Sequence, residues 1–184
     1  NGTIKGTVPN DWSIENTHRN YIKKGLVNCS PEDIIIVSDA DEIPNPQILQ
    51  SLKAGTLQAK QTISKLYRVF RKRKDKLAAY GKYIKILNKF CRNKSVNDIL
   101  QDTPLAFFQD HYYYFMNYRH PDKWCGSVIS LYKNMDNPQH LRDIRRRLPV
   151  INNGGWHFAY MGGIERILLK VNSTVDENPR SEER

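Results

Sequence analysis

The chain has 184 residues, 39% of them hydrophobic and 26% charged, and carries a formal net charge of +10. That length and balance suit one domain with its own core, and no run of about 18 apolar residues is present to span a membrane. Cys29, Cys91 and Cys125 are scattered without a C-x-x-C pair, which argues against a disulfide framework and against a zinc site.

The opening residues are polar and do not read as a signal peptide. N-x-S/T sequons stand at Asn1, Asn28, Asn93 and Asn172, a weak pointer to a secretory compartment. A helix is expected from about Asp11, capped by Asp11 or Ser13, with Ile14, Tyr21, Ile22 and Leu26 near one face and Gly25 at its exit. The β-branched run Ile34–Val37 has the length and composition of a buried strand. It ends in Asp39-Ala40-Asp41-Glu42, and Pro44 and Pro46 interrupt it. Pro46 opens a short helix that holds Ile48, Leu49 and Leu52 and closes near Gly55.

Residues 60–94 read as a basic amphipathic helical region, with Ile63, Leu66, Tyr67 and Phe70 in one stripe. They hold thirteen Lys or Arg and one acid, a local +12, so the remainder of the chain sums to −2. Pro104 ends that region. Leu105–Tyr118 is aromatic-rich and reads as one strand or two, and Ser127–Tyr132 as another. Pro138–Arg147 is a short basic helix, Gly154–Phe158 a strand, Met161–Val171 a last helix, and the residues from Asn172 a polar tail. Alternating strands and helices make an α/β domain, and open α/β sheets bind ligands at strand carboxyl ends.

The acidic cluster sits at such an end. Three carboxylates in four residues repel one another and are costly to desolvate unless a cation lies between them. Asp-x-Asp suits Mg²⁺ or Mn²⁺, which take few protein carboxylates and leave room for water and phosphate oxygens. A solvated acidic loop is the plain alternative. His157, after Gly154-Gly155-Trp156, is a candidate metal ligand or a structural histidine. The glycines would let a ligand approach the backbone, and Trp156 could stack on a sugar or base. Tyr112–Phe115, Asn117 and Trp124 could line a carbohydrate cleft or form a core strand and loop. Arg145-Arg146-Arg147 could neutralise a diphosphate or close a helix.

Taken in order, Trp12…Glu15…His18-Arg19-Asn20, Ser38-Asp39-Ala40-Asp41-Glu42-Ile43-Pro44, Tyr113-Tyr114-Phe115-Met116-Asn117, Trp124 and Gly154-Gly155-Trp156-His157-Phe158 resemble glycosyltransferase family 17. This is the family of the β-1,4-mannosyl-glycoprotein β-1,4-N-acetylglucosaminyltransferase. The resemblance runs from about residue 12 to residue 171. It implies a GT-A-type α/β domain with a mixed central sheet over 1–171, without the usual first strand and helix. Residues 60–103 would be a basic helical insertion, and 172–184 a tail. It also implies inverting transfer of a sugar, N-acetylglucosamine by the family's example, from a UDP-sugar to a glycan acceptor with Mn²⁺ or Mg²⁺.

By the same resemblance Asp39 and Asp41 lie at the metal-diphosphate site as its ligands, and His157 is a candidate third ligand. Ser38, Asp39, Asp41, Arg19, Asn20 and Trp156 belong to the donor site, with Glu42 behind them orienting the Asp pair or a backbone amide. Glu165 and Asp110 are candidates for the general base. The family's C-terminal Ser-Phe-x-His-x-Glu is here Ser173-Thr174-Val175-Asp176-Glu177, so Asp176 would have to replace the histidine. The compartment would be cytoplasmic for a bacterial or viral member and the Golgi lumen for a eukaryotic secretory one. No nucleic-acid partner is expected. Residues 60–94 could touch an anionic membrane surface, and a homo-oligomer is allowed. Two other classes compete. A haloacid-dehalogenase-like phosphatase would use Asp39 as nucleophile, but Ile43 and the lack of a later G-D-x-x-x-D count against it. A non-catalytic polyanion-binding module would leave the acidic cluster unexplained.

Overall fold

The computed structural model describes residues 12–64 and 91–173. Helix α1 spans Ser13–Tyr21 and continues as a 3₁₀ turn, Ile22–Gly25. The strand expected from the β-branched run is β1, Ile34–Val37. The chain then turns through the acidic residues into a short strand, β2, Glu42–Pro44, which the prolines had argued against. Pro44 is tolerated there because β2 is an edge strand paired only with β7. Helix α2, Pro46–Lys53, starts at its proline and is capped by Asn45, whose side chain accepts from the Gln47 N–H.

Helix α3, Ala59–Thr62, leads into β3, Ile63–Ser64, so the first residues of the basic segment are partly a strand rather than all helix. Residues 65–90, and with them most of the expected amphipathic region, lie outside the described residues, as do Asp11 and Asp176. Helix α4 is Val96–Asp102. Ser95 closes a capping box with Asp98, and Val96, Ile99 and Leu100 are fully buried. This end of the expected insertion is therefore part of the core.

Strand β4, Leu105–Tyr113, runs through the middle of the sheet, and β5, Trp124–Leu131, begins three residues earlier than the sequence suggests. Helix α5, Pro138–Ile144, passes into a 3₁₀ turn at Arg145–Arg147. Strands β6, Val150–Ile151, and β7, Gly155–Ala159, precede helix α6, Gly163–Ser173. None of the described helices is long and apolar enough to cross a membrane.

The result is a mixed α/β fold on one curled sheet. Strand order is β1-β5-β4-β6-β3, and β7 joins the far half of β4 and carries β2. β1 and β5 are antiparallel, as are β5 and β4. β4 pairs in parallel first with β6 and then with β7. Alternation along the strands feeds two cores. Leu105, Phe107, Ile129 and Leu131 pack with α2 and α4 residues such as Leu52, Ile99 and Leu100. Ile35, Val37, Ala106 and Val128 pack with Leu141 of α5 on the other side. Helix α1 buries none of its residues, and Tyr21 and Ile22, expected on an inward stripe, are exposed. Its place against α5 is fixed by polar contacts described below.

Candidate functional site

β1 lies at one side of the sheet and β2 is bonded to β7 at the other, so Ser38–Asp41 must cross the sheet end between them. The crossing is tied at several points. The Glu42 N–H donates to the Asp39 carbonyl at 3.0 Å, and the Phe158 N–H of β7 donates to the Asp41 carbonyl at 2.9 Å. Ser38 Oγ donates to the Glu42 carbonyl at 2.9 Å and shares a 2.6 Å bond with Ser127 Oγ. The sheet curls so that Glu42 on β2 reaches back to β5.

Glu42 is the centre of this turn. Its side chain is fully buried and accepts from both guanidinium nitrogens of Arg142, Nη1 to Oε2 at 2.8 Å and Nη2 to Oε1 at 2.9 Å. Trp124 Nε1 donates to Oε1 at 2.8 Å, Ser127 Oγ to Oε2 at 3.3 Å, and the Asp39 N–H to Oε2 at 3.2 Å. This is the orienting role expected of Glu42. Arg142 is 2% exposed and donates through Nη2 to Asp39 Oδ2 as well. Burial works against its charge, but hydrogen bonds and attraction from Glu42 and Asp39 outweigh burial and raise its pKa. Nothing in the acidic motif names this arginine. The available signal was its position on α5, on the same buried face as Pro138 and Leu141.

The two aspartates have separate surroundings. Asp39 lies between two arginines, Arg19 on Oδ1 at 3.1 Å and Arg142 on Oδ2. Arg19 also donates to Gln139 Oε1, and Asn20 Oδ1 accepts from the Gln139 N–H at 3.1 Å. Arg19 and Asn20 thus clamp α1 to the start of α5. Asp41 faces a different group. His157 Nε2 is 3.5 Å from Oδ1, and Lys170 Nζ on α6 donates to Oδ2 at 2.7 Å. Burial raises the Asp41 carboxyl pKa, but the hydrogen bonds and charges of His157 and Lys170 win and hold it far below the carboxylate range.

Strand register decides which other residues join them. His157 pairs with Glu42 on β2 and with His111 on β4, so all three share one face. The His157 ring lies 4.6 Å from that of His111 and stacks on Trp124 at 4.5 Å. Its side chain is 9% exposed, and Nδ1 is buried with no hydrogen-bond partner among the described residues. Asp110 and Trp156 pair with each other one residue out of step, on the opposite face. There Asp110 is neutralised by Arg119 at 2.8 Å and Lys123 at 3.1 Å. Glu165 is exposed in the first turn of α6. The structure brings Asp39, Asp41, Glu42, His157 and Trp124 together with Ser38, and it does not bring Asp110, Trp156 or Glu165 to them.

The glycines answer to the chain's own packing. Gly155 has φ +119°, and a Cβ there would lie 2.0 Å from the Ile43 carbonyl oxygen; one on Gly154 would lie 2.7 Å from Phe107 Cβ. Their close neighbours are β2 and β4. Arg145 is also occupied, donating to the Cys125 carbonyl at 3.1 Å and the Arg142 carbonyl at 2.6 Å. Of the aromatic run, Tyr112 stacks on Phe158, Tyr113 lies beside His111, and Phe115 is 67% exposed at the loop tip.

Among the described residues no three His, Cys, Asp or Glu side chains gather into a metal-binding group. Two suitable donors do meet: Asp41 Oδ1 and His157 Nε2, 3.5 Å apart. Neighbouring ligands around an octahedral ion at roughly 2.1 Å are about 3 Å apart, so a small shift would let both bind one Mg²⁺ or Mn²⁺. Water and phosphate oxygens would have to fill the other positions. His157 would use Nε2; its Nδ1 is buried with no partner among the described residues, so the second hydrogen bond that usually orients a metal-bound histidine is not made there. Asp39, held by two arginines, does not belong to that donor pair. Searches of protein-family models, of curated proteins and of solved structures find no significant match to this chain.

Proposed function

We propose that this chain is a glycosyltransferase that moves a sugar, N-acetylglucosamine, from a UDP donor to a glycan acceptor, as the resemblance to family 17 implies. The observation that carries the reading is the Asp41–His157 pair at the carboxyl end of β1, 3.5 Å apart and beside Lys170. A divalent ion bound there would act as a Lewis acid for the departing diphosphate. The protein's part is to hold the acidic turn rigid. Glu42 fixes the backbone of Asp39 and Arg142 its side chain, and Phe158 fixes the backbone of Asp41. Lys170 and Arg19 add positive charge at the same rim, where a diphosphate would need it. The exposed aromatics of the loop after β4, Tyr114, Phe115 and Tyr118, offer apolar faces for sugar rings.

The phosphatase reading needs Asp39 as an open nucleophile, and two arginines engage that carboxylate. The test is calorimetry with UDP and Mn²⁺. UDP affinity should vanish with EDTA and with Asp41→Ala. Unchanged affinity in both experiments would end the metal role.

A further inference from the structure

Asp41 already has a cation. Lys170 Nζ lies 2.7 Å from its Oδ2 and 5.2 Å from the centre of the Tyr160 ring, so the ammonium sits between a carboxylate and an aromatic face. The lysine comes from the eighth position of α6, 129 residues from its partner. It is 39% exposed and Asp41 is 28% exposed, so solvent reaches both ends of the pair. The neighbouring Asp39 is neutralised the same way by Arg19 and the buried Arg142. An acidic motif that would otherwise repel itself is balanced by the protein's own cations in the absence of a ligand.

Resting on the reading above, we propose that Lys170 is an exchangeable internal cation. At rest it occupies Asp41, and on donor binding it yields Asp41 to the divalent ion and pairs with the donor's diphosphate. Three features support an exchange rather than a fixed bridge. A divalent ion on Asp41 Oδ1 would stand beside the ammonium on Oδ2, and its double charge repels that ammonium more strongly than the singly charged guanidinium groups on Asp39 repel each other, so the two compete for Asp41. Lysine is a compact charge on a flexible stem, able to swing where a buried bidentate arginine such as Arg142 cannot. The incoming diphosphate supplies new acceptors beside the lysine as its old one is taken, and lysine is a common phosphate partner. Lys170 thus opposes binding of the ion alone and favours binding of the ion together with a diphosphate. The site would then discriminate against free metal and in favour of charged donor.

The test is calorimetry on the full chain and on Lys170→Met, with Lys170→Arg as the charge-keeping variant. Lys133→Met, a surface lysine paired with Glu32 before β1, is the control. Thermal melts first establish that each variant is folded. In Lys170→Met, Mn²⁺ alone should bind about tenfold tighter, while UDP in saturating Mn²⁺ should bind about tenfold weaker, within the usual range of site coupling. Lys170→Arg should restore the UDP affinity, and Lys133→Met should change neither constant. A lysine that merely holds the fold would move both affinities down together, and that result overturns the exchange. So does a Lys170→Met variant with both constants unchanged while the parent binds UDP and Mn²⁺. If the parent binds neither, the transferase reading itself fails and the exchange falls with it.

Discussion

Arg142 should be the most sensitive side chain in the turn, and a double-mutant cycle with Glu42 measures why. Arg142→Met keeps the length of the side chain and removes its charge. It leaves the fully buried Glu42 carboxylate with Trp124, Ser127 and the Asp39 N–H as partners but no counter-charge. It also removes one of the two cations on Asp39. Removing one member of a buried ion pair costs about 3–5 kcal/mol, because the remaining charge is desolvated and uncompensated. In a domain of this size about 1 kcal/mol moves Tm by roughly 2–4 °C, so Arg142→Met should lower it by about 6–20 °C. Glu42→Leu should cost less, because the guanidinium keeps Asp39 and the Gly126 carbonyl as partners. The double variant removes both charges, so its loss should be smaller than the sum of the single losses by about 1–3 kcal/mol. Urea unfolding of the parent, both singles and the double gives these differences. If the two losses add to within about 0.5 kcal/mol, the charges are not coupled and the account of the turn is wrong.

Two further outcomes follow from particular contacts. Asp41 has a carboxyl pKa held well below its ordinary 3.8, so its contribution to stability is present above about pH 4 and is lost as pH falls below that. Unfolding curves of the parent and Asp41→Asn should therefore draw together between about pH 5 and pH 2, and a constant gap would exclude the ion pair as the cause. Gly155→Ala would set a Cβ against the Ile43 carbonyl at a backbone angle that side chains rarely adopt. It should cost more than about 2 kcal/mol and weaken UDP binding by displacing β2, whereas full stability with normal binding would show that the turn does not depend on this register.

The sequence alone located β1, the acidic turn and the start of α2, because each is encoded within a few residues. A β-branched run favours a strand, Pro46 is a local helix-start signal, and adjacent carboxylates repel wherever they are placed. The capping box of Ser95 with Asp98, equally local, was hidden inside the helical insertion read over 60–103. It also placed Glu42 behind the aspartates. The partners of those carboxylates lie beyond the reach of local reasoning. Arg142 is 100 residues from Glu42, Lys170 is 129 from Asp41, and each looks like one more charge on a helix until the helix is docked. Register was equally hidden. Asp110 and His111 are neighbours in the chain, but pairing of β4 with β7 sends His111 to His157 and Asp110 to the opposite face. One step along a strand reverses the direction of a side chain, so only the assembled sheet decides which acids and aromatics meet. The closing of Ile63–Ser64 into β3 has the same cause. Pairing with β6 satisfies the backbone there and overrides the helical pattern read from the side chains.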